Sequence, residues 1–171
     1  MKPQNVLMFE DSPGIYTAKV ADFGLSTYLH GEQDLIRMPR SVPWNAPEYH
    51  DRHFSPQDAK AMDVYSFGML CLWLLFGVES SNTMPFAPGT ENGRRGFSFE
   101  AQDWFQNEDL LFSWKRDRLL QWAIWLVAEH GNFALETMEN LTRFFRSSLC
   151  FNHQARITDW SHILCLLAPS R

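Results

Sequence analysis

Hydrophobic patterning divides the chain into a short ribbon followed by a series of helices. Val6-Leu7-Met8-Phe9 is a brief apolar run and reads as a buried strand, and Tyr16 to Val20 alternates as its return partner. Asp11-Ser12-Pro13-Gly14 between them is a turn signal. An antiparallel pair brings its open ends together, so residues 2–5 should lie beside residues 22–24. Residues 25–45 carry Gly31, Pro39 and Pro43 without periodicity, and a loop of that length is usually functional. Residues 60–76 are apolar on nearly every face after Asp63, the pattern of a helix running through the middle of a domain.

Residues 79–103 hold Ser80, Ser81, Pro85, Pro88, Gly89, Gly93 and Gly96 and read as a surface loop or insertion. Trp104 to Glu129 reads as one helix with an inward stripe of Leu119, Leu120, Ala123, Ile124 and Val127. Ala134–Leu149 and Thr158–Ala168 read as two more, with Thr158 and Asp159 suited to start the last. There is no internal repeat. The expectation is one mainly α unit, a helical bundle around a buried central helix with a small β-hairpin near its N-terminus.

Composition narrows the function classes. The 171 residues fit one domain or a large part of one, and 45% apolar against 20% charged residues is enough to build a core. The 7 Trp and 14 Phe are expected in packing. A formal net charge of −5 argues against a nucleic-acid partner, which would need a basic footprint. Cys71, Cys150 and Cys165 match neither zinc-site nor disulfide spacing, and Cys71 and Cys165 sit in apolar runs as buried thiols would. No apolar leader follows Met1, and the run Phe67–Val78 is too short to span a bilayer, so the expectation is a soluble, intracellular, cytoplasmic protein with no membrane partner. The sequon Asn140-Leu141-Thr142 is accidental in that setting.

The chemistry lies in short motifs whose order matters more than any one of them. Lys2-Pro3-x-Asn5 alone is a turn, Asp22-Phe23-Gly24 alone a strand end, and an Asp before an apolar helix alone an N-cap. Together they run Lys2-Pro3-x-Asn5, hairpin, Asp22-Phe23-Gly24, loop, Ala46-Pro47-Glu48, then Asp63-Val64-Tyr65-Ser66-Phe67-Gly68 opening the central helix, then Arg156. In that order, and on those elements, the chain resembles the eukaryotic protein kinase family over nearly its whole length, and within it the C-terminal lobe. Other candidates are weaker. His50 and His53 have no third metal ligand, Ser66-Phe67-Gly68 lacks the glycine of a nucleophile elbow, and Arg94-Arg95 reads as a solvated loop.

The resemblance implies roles for particular residues. Asn5 and Asp22 would be the ligands of Mg²⁺, a hard cation that takes a few oxygen donors. Lys2 would touch the phosphate in transit, as a mobile point charge. Leu7 would pack beneath the adenine of ATP, and Gly24 would let the backbone turn sharply after the metal ligand. Glu48 and Arg156 would form a buried ion pair holding the end of the activation segment, residues 22–48, to the helical core. Asp63 would cap the backbone of the catalytic loop. Lys2 suits a Ser/Thr-directed kinase, Ser41 falls where such kinases contact the acceptor residue, and Trp44 resembles the tyrosine-kinase-like branch. Arg40 stands where the family usually has Gly. Ser26, Thr27 and Tyr28 are candidate activating phosphosites, with Arg37, Arg40 or the family's catalytic-loop Arg, expected upstream of Met1, as candidate partners, and the sequence does not choose among them.

The family's catalytic Asp stands two residues before the Lys, one before Met1 here, and its glycine-rich loop and ATP-anchoring Lys belong to an N-terminal lobe. The expectation is a kinase fragment, phosphorylating protein Ser/Thr in its parent and inactive alone. The alternative is a non-catalytic, pseudokinase-like binding or scaffold module. In that alternative, the face normally covered by the N-terminal lobe would be an exposed apolar patch open to a partner.

Overall fold

In the computed structural model, residues 1–26, 35–49, 53–76, 108–129 and 132–168 are described. β1 (Val6–Ser12) and β2 (Ile15–Val20) pair antiparallel, with Val6 opposite Val20 at the open end. Gly14 closes the far end at φ 79°, a conformation that glycine adopts without a Cβ penalty, and its N–H donates to Glu10 Oε1 at 3.1 Å. The ribbon is not the buried strand its apolar run suggests. Leu7 is 48%, Met8 61% and Ile15 62% exposed, because the described helices cover neither of its faces.

The central helix, α1 (Pro56–Phe76), starts four residues before the expected position 60. Ser55 Oγ accepts from Asp58 N at 3.1 Å and donates to Asp58 Oδ2 at 2.7 Å, so an N-cap precedes a Pro whose lost N–H costs nothing there. Val64, Tyr65, Met69 and Leu72 are fully buried along it. By length and composition alone α1 could cross a membrane, which the run Phe67–Val78 did not suggest, yet 61% of its apolar stretch is buried inside the fold. Gly68 lets a second helix close on α1: a Cβ there would lie 2.6 Å from Ser148 Oγ and 3.0 Å from Leu149 Cδ2.

That second helix is α4 (Leu135–Ser148), which buries Leu141, Phe144, Phe145 and Ser148 at helical spacing. Before it, the expected single helix of 104–129 is two helices among the described residues, α2 (Glu108–Asp117) and α3 (Leu119–Glu129). The interruption is one residue wide. Arg118 N still donates to Trp114 O, and its carbonyl still accepts from Trp122 N, each at 2.9 Å. Trp114 and Trp122 meet edge to face across the break, centroids 6.0 Å apart. α5 (Trp160–Leu167) is capped by Asp159, which accepts from Ser161 N at 2.9 Å. Only Ile163 of α5 is buried, so Cys165 is exposed rather than a core thiol, while Cys71 lies inside, its pKa pushed up to about 12 by burial.

The segment expected to lack structure has short anchors. Phe23–Leu25 form one 3₁₀ turn, and β3 (Ile36–Arg37) pairs with β4 (His53–Phe54) just ahead of α1. The loop 79–103, Thr27 and Tyr28 lie outside the described residues.

Candidate functional site

The hairpin's open end sets the first wall of a cavity. Pro3–Asn5 form a 3₁₀ turn, Asn5 N donates to Lys2 O at 3.0 Å, and Ala21 N donates to Asn5 O at 2.8 Å. That last bond fixes Asn5 beside the residue before Asp22. Asp22 itself is left-handed, φ 62° and ψ 67°, the sole described non-glycine residue with positive φ. Asp tolerates this region better than most residues, and such local strain concentrates at functional sites. The sharp turn therefore belongs to Asp22 and not to Gly24: a Cβ at Gly24 would meet only Asp22 Oδ1, at an ordinary 3.6 Å.

The second wall is the segment 39–46. Asn45 holds it in a turn: its N–H donates to Ser41 O at 3.0 Å, its Oδ1 accepts from Ser41 N at 2.6 Å, and its Nδ2 donates to Pro39 O at 3.3 Å. The third wall is the first half of α1, with Lys60, Asp63 and Ser66. The cavity between them is about 480 Å³, and Lys2, Asn5, Asp22, Ser41 and Asp63 all line it. Three of the residues singled out for nucleotide or acceptor, Leu7, Gly24 and Trp44, do not line it. Leu7 stands on the exposed ribbon, and Trp44 is buried edge to face against Trp73, 6.3 Å between centroids, with its carbonyl accepting from Ser66 Oγ at 2.9 Å.

Asp63 and the Met1 amino group, both lining the cavity, influence each other electrostatically. Packing around Asp63 raises its carboxyl above the usual range, and the amino group partly offsets this; burial likewise lowers the Met1 amine. Asn5 and Asp22 both line this cavity, and an amide and a carboxylate are the kind of hard oxygen donors Mg²⁺ takes while keeping waters and phosphate oxygens as its other ligands. Among the described residues no cluster of three or more His, Cys, Asp or Glu could hold a metal by itself.

Behind the cavity, Arg156 makes a two-pronged pair with Glu48, Nη1 to Oε1 at 2.5 Å and Nη2 to Oε2 at 2.9 Å. The same guanidinium donates to the carbonyls of Cys150, Phe151 and Ala61 at 2.7, 3.1 and 3.2 Å and lies 4.7 Å from the Tyr65 ring centroid. It thereby ties the segment after Ser41 to α1 and to the loop before α5.

The model of the family described as "Protein kinase domain" matches residues 1–166. This chain belongs to the protein kinase family. Among individual relatives, the kinase chain is 38% identical over 89 residues to "PTI1-like tyrosine-protein kinase 2" of Arabidopsis thaliana, a match covering 50% of this chain and 22% of that protein. It is 33% identical over 85 residues to "Rust resistance kinase Lr10" of Triticum aestivum, 48% of this chain and 13% of that one. It is 39% identical over 85 residues to "Receptor-interacting serine/threonine-protein kinase 3" of Rattus norvegicus, 47% and 16%. The kinase chain thus matches less than a quarter of the length of each. No solved structure gives a significant match.

Two participants were not singled out from the sequence. Asn45 sits among prolines and looks like ordinary loop. Lys115 sits in the charged run Lys115-Arg116-Asp117-Arg118, yet it is only 4% exposed and its Nζ donates to Asn45 O. A signal existed: Leu111, Trp114, Lys115 and Leu119 fall on one helical stripe, so position 115 points inward.

Proposed function

We propose that the chain is the C-terminal lobe of a protein kinase whose parent transfers phosphate from Mg-ATP to Ser or Thr of proteins. What carries this reading is one cavity shared by Lys2, Asn5, Asp22 and Ser41. In it Asn5 and Asp22 would hold Mg²⁺, which neutralises charge on the terminal phosphates. Lys2 would follow the moving phosphate charge. Ser41, on its Asn45-held turn, would seat the acceptor hydroxyl. Arg156, paired with Glu48, holds the carbonyls of Cys150, Phe151 and Ala61, and Asp63 would cap the backbone of the catalytic loop. The family's glycine-rich loop and ATP-anchoring Lys are not among these 171 residues, so the chain alone is proposed to turn over little or no ATP. Ser/Thr choice rests on Lys2 and Ser41; the names of the relatives divide between tyrosine and serine/threonine kinases.

The test is on the parent protein. Purified with Mg-ATP and a mixed protein substrate, it should yield phosphoserine or phosphothreonine, and Asp22→Asn should cut the rate about 10²-fold or more. Phosphotyrosine as the product overturns the Ser/Thr assignment. An unchanged rate in Asp22→Asn overturns the site.

A second reading, a binding module without catalysis, is favoured by the exposed ribbon side chains Leu7, Met8, Phe9, Ile15 and Tyr16. A parent that binds no Mg-ATP in a thermal-shift titration and phosphorylates nothing would establish it.

A further inference from the structure

Lys115 is buried where a cation is costly, and neither the phosphate site nor the Glu48–Arg156 pair uses it. Its Nζ donates to Asn45 O and lies 5.7 Å from the Tyr65 ring centroid. Asn45 in turn shapes the Ser41 turn through both its backbone and its side chain. One lysine on α2 therefore holds the carbonyl of the residue that forms the acceptor wall of the cavity. A smaller cavity of about 210 Å³, lined by Lys115, Arg40, Asn45, Asp109 and Phe112 among others, lies on the far side of the same segment. The 39–46 turn is thus a wall shared by two cavities, held to α1 by the Ser66 Oγ bond to Trp44 O and to α2 by the Lys115 bond to Asn45 O.

We propose that Lys115 is a positioning residue: it fixes the Ser41–Asn45 turn from behind and so couples the shape of the acceptor site to α2. The role of that turn in seating an acceptor rests on the kinase reading above; the anchoring itself does not. The geometry also makes the anchor sensitive to pH. The charged and titratable groups around Lys115 are Glu48 and Arg40 from the segment in front, Tyr65 from α1, Arg156 from the loop before α5, and Asp109 from its own helix. Burial outweighs Glu48 and brings the ammonium down to about 7 from its ordinary 10.5, with Arg156 pushing the same way. Near neutrality the anchor exchanges between a charged donor and a weaker neutral one.

Hydrogen exchange on the 171-residue chain tests the anchoring with no nucleotide present. Lys115→Met should speed exchange at the Ser41 and Asn45 amides about tenfold while amides of α4 stay unchanged. Lys115→Arg, which keeps a donor, should restore much of the protection. Unchanged protection at Ser41 and Asn45, or a uniform rise throughout the chain, overturns the proposal. Should Lys115→Met not fold, the unmutated chain decides. The amide resonances of Ser41 and Asn45 should follow the titration of Lys115 near neutrality. A titration in the ordinary lysine range, or amides that do not follow it, overturns the proposal equally. In the active parent, Lys115→Met should raise KM for an acceptor peptide about tenfold and leave KM for ATP unchanged. If the parent proves not to be a kinase, that kinetic arm fails while the exchange arm still stands or falls on its own.

Discussion

The ribbon and the central helix begin as similar strings of letters and end in opposite environments. Val6-Leu7-Met8-Phe9 and Met69-Leu70-Cys71-Leu72 are both four apolar residues in a row. The second is buried on all sides; the first keeps Leu7, Met8 and Phe9 open to solvent. An apolar run specifies that a segment gains by being covered, and whether it is covered depends on what folds against it. Around α1, helices α2 to α5 and the Glu48–Arg156 pair enclose the chain. Around the ribbon the described residues offer nothing comparable. The helical body should therefore carry the stability, and the ribbon should carry the site's geometry at little energetic cost.

The largest loss is expected at the centre of that body. Arg156→Met leaves the Glu48 carboxylate without its partner and strips donors from the carbonyls of Cys150, Phe151 and Ala61. Removing one member of a buried pair costs about 3–5 kcal/mol, so denaturant unfolding should place the variant at or below the threshold of folding. A loss under about 1 kcal/mol would mean that the pair behaves as an exposed one. Next is Gly68→Ala, whose new Cβ would meet Ser148 Oγ at 2.6 Å. Overpacking of that kind costs about 1–3 kcal/mol, and pairing it with Ser148→Gly should recover part of the loss if the close approach is the cause.

How far this body could be read in advance follows from the same contrast. The central helix, the hairpin, the helices of 134–149 and 158–168, and the family itself were legible, because each depends on local periodicity or on motif order. Apolar periodicity places the start of α1 only at 60, because the first turn, Ser55-Pro56-Gln57-Asp58, is polar and is marked by its cap instead. The sharp turn was assigned to Gly24 because glycine is the usual owner of positive φ, whereas Asp22 takes it. Lys2, Asn5, Asp22 and Ser41 share a cavity that pairing of strand ends made foreseeable in part. Trp44 and Leu7 were assigned to the site by analogy of position, and position does not say which way a side chain points. Asn45 and Lys115 escaped because their partnership spans α2 and the loop, a contact no local pattern encodes.

Lys115 also separates body from ribbon by pH. In the folded chain it gives up its proton near pH 7, while an unfolded lysine holds one to about 10.5. Between those values the unfolded state binds more protons, so stability contributed at this position rises with pH; below 7 both states are protonated and the dependence vanishes. Lys115→Met should flatten that rise in urea midpoints taken from pH 7 to 10, and an identical slope would remove Lys115 as its source. Smaller again is Asp159→Ala, which removes the acceptor for Ser161 N at the start of α5 and should cost about 1 kcal/mol by thermal unfolding.

The smallest effect is expected on the ribbon, and it decides what the comparison is worth. Leu7→Ser and Met8→Ser each change a large apolar side chain that is about half or more exposed. In the 171-residue chain they should shift stability by less than about 0.5 kcal/mol, because little buried area is lost. In the parent protein the same substitutions are a probe of coverage. If further chain or a partner lies over the ribbon there, Leu7→Ser should cost about 2 kcal/mol or more, the magnitude of a buried leucine. Equal, small effects in both settings would mean that the ribbon's apolar side chains stay in water throughout, and that its sequence is kept for the placement of Asn5 and Asp22 alone.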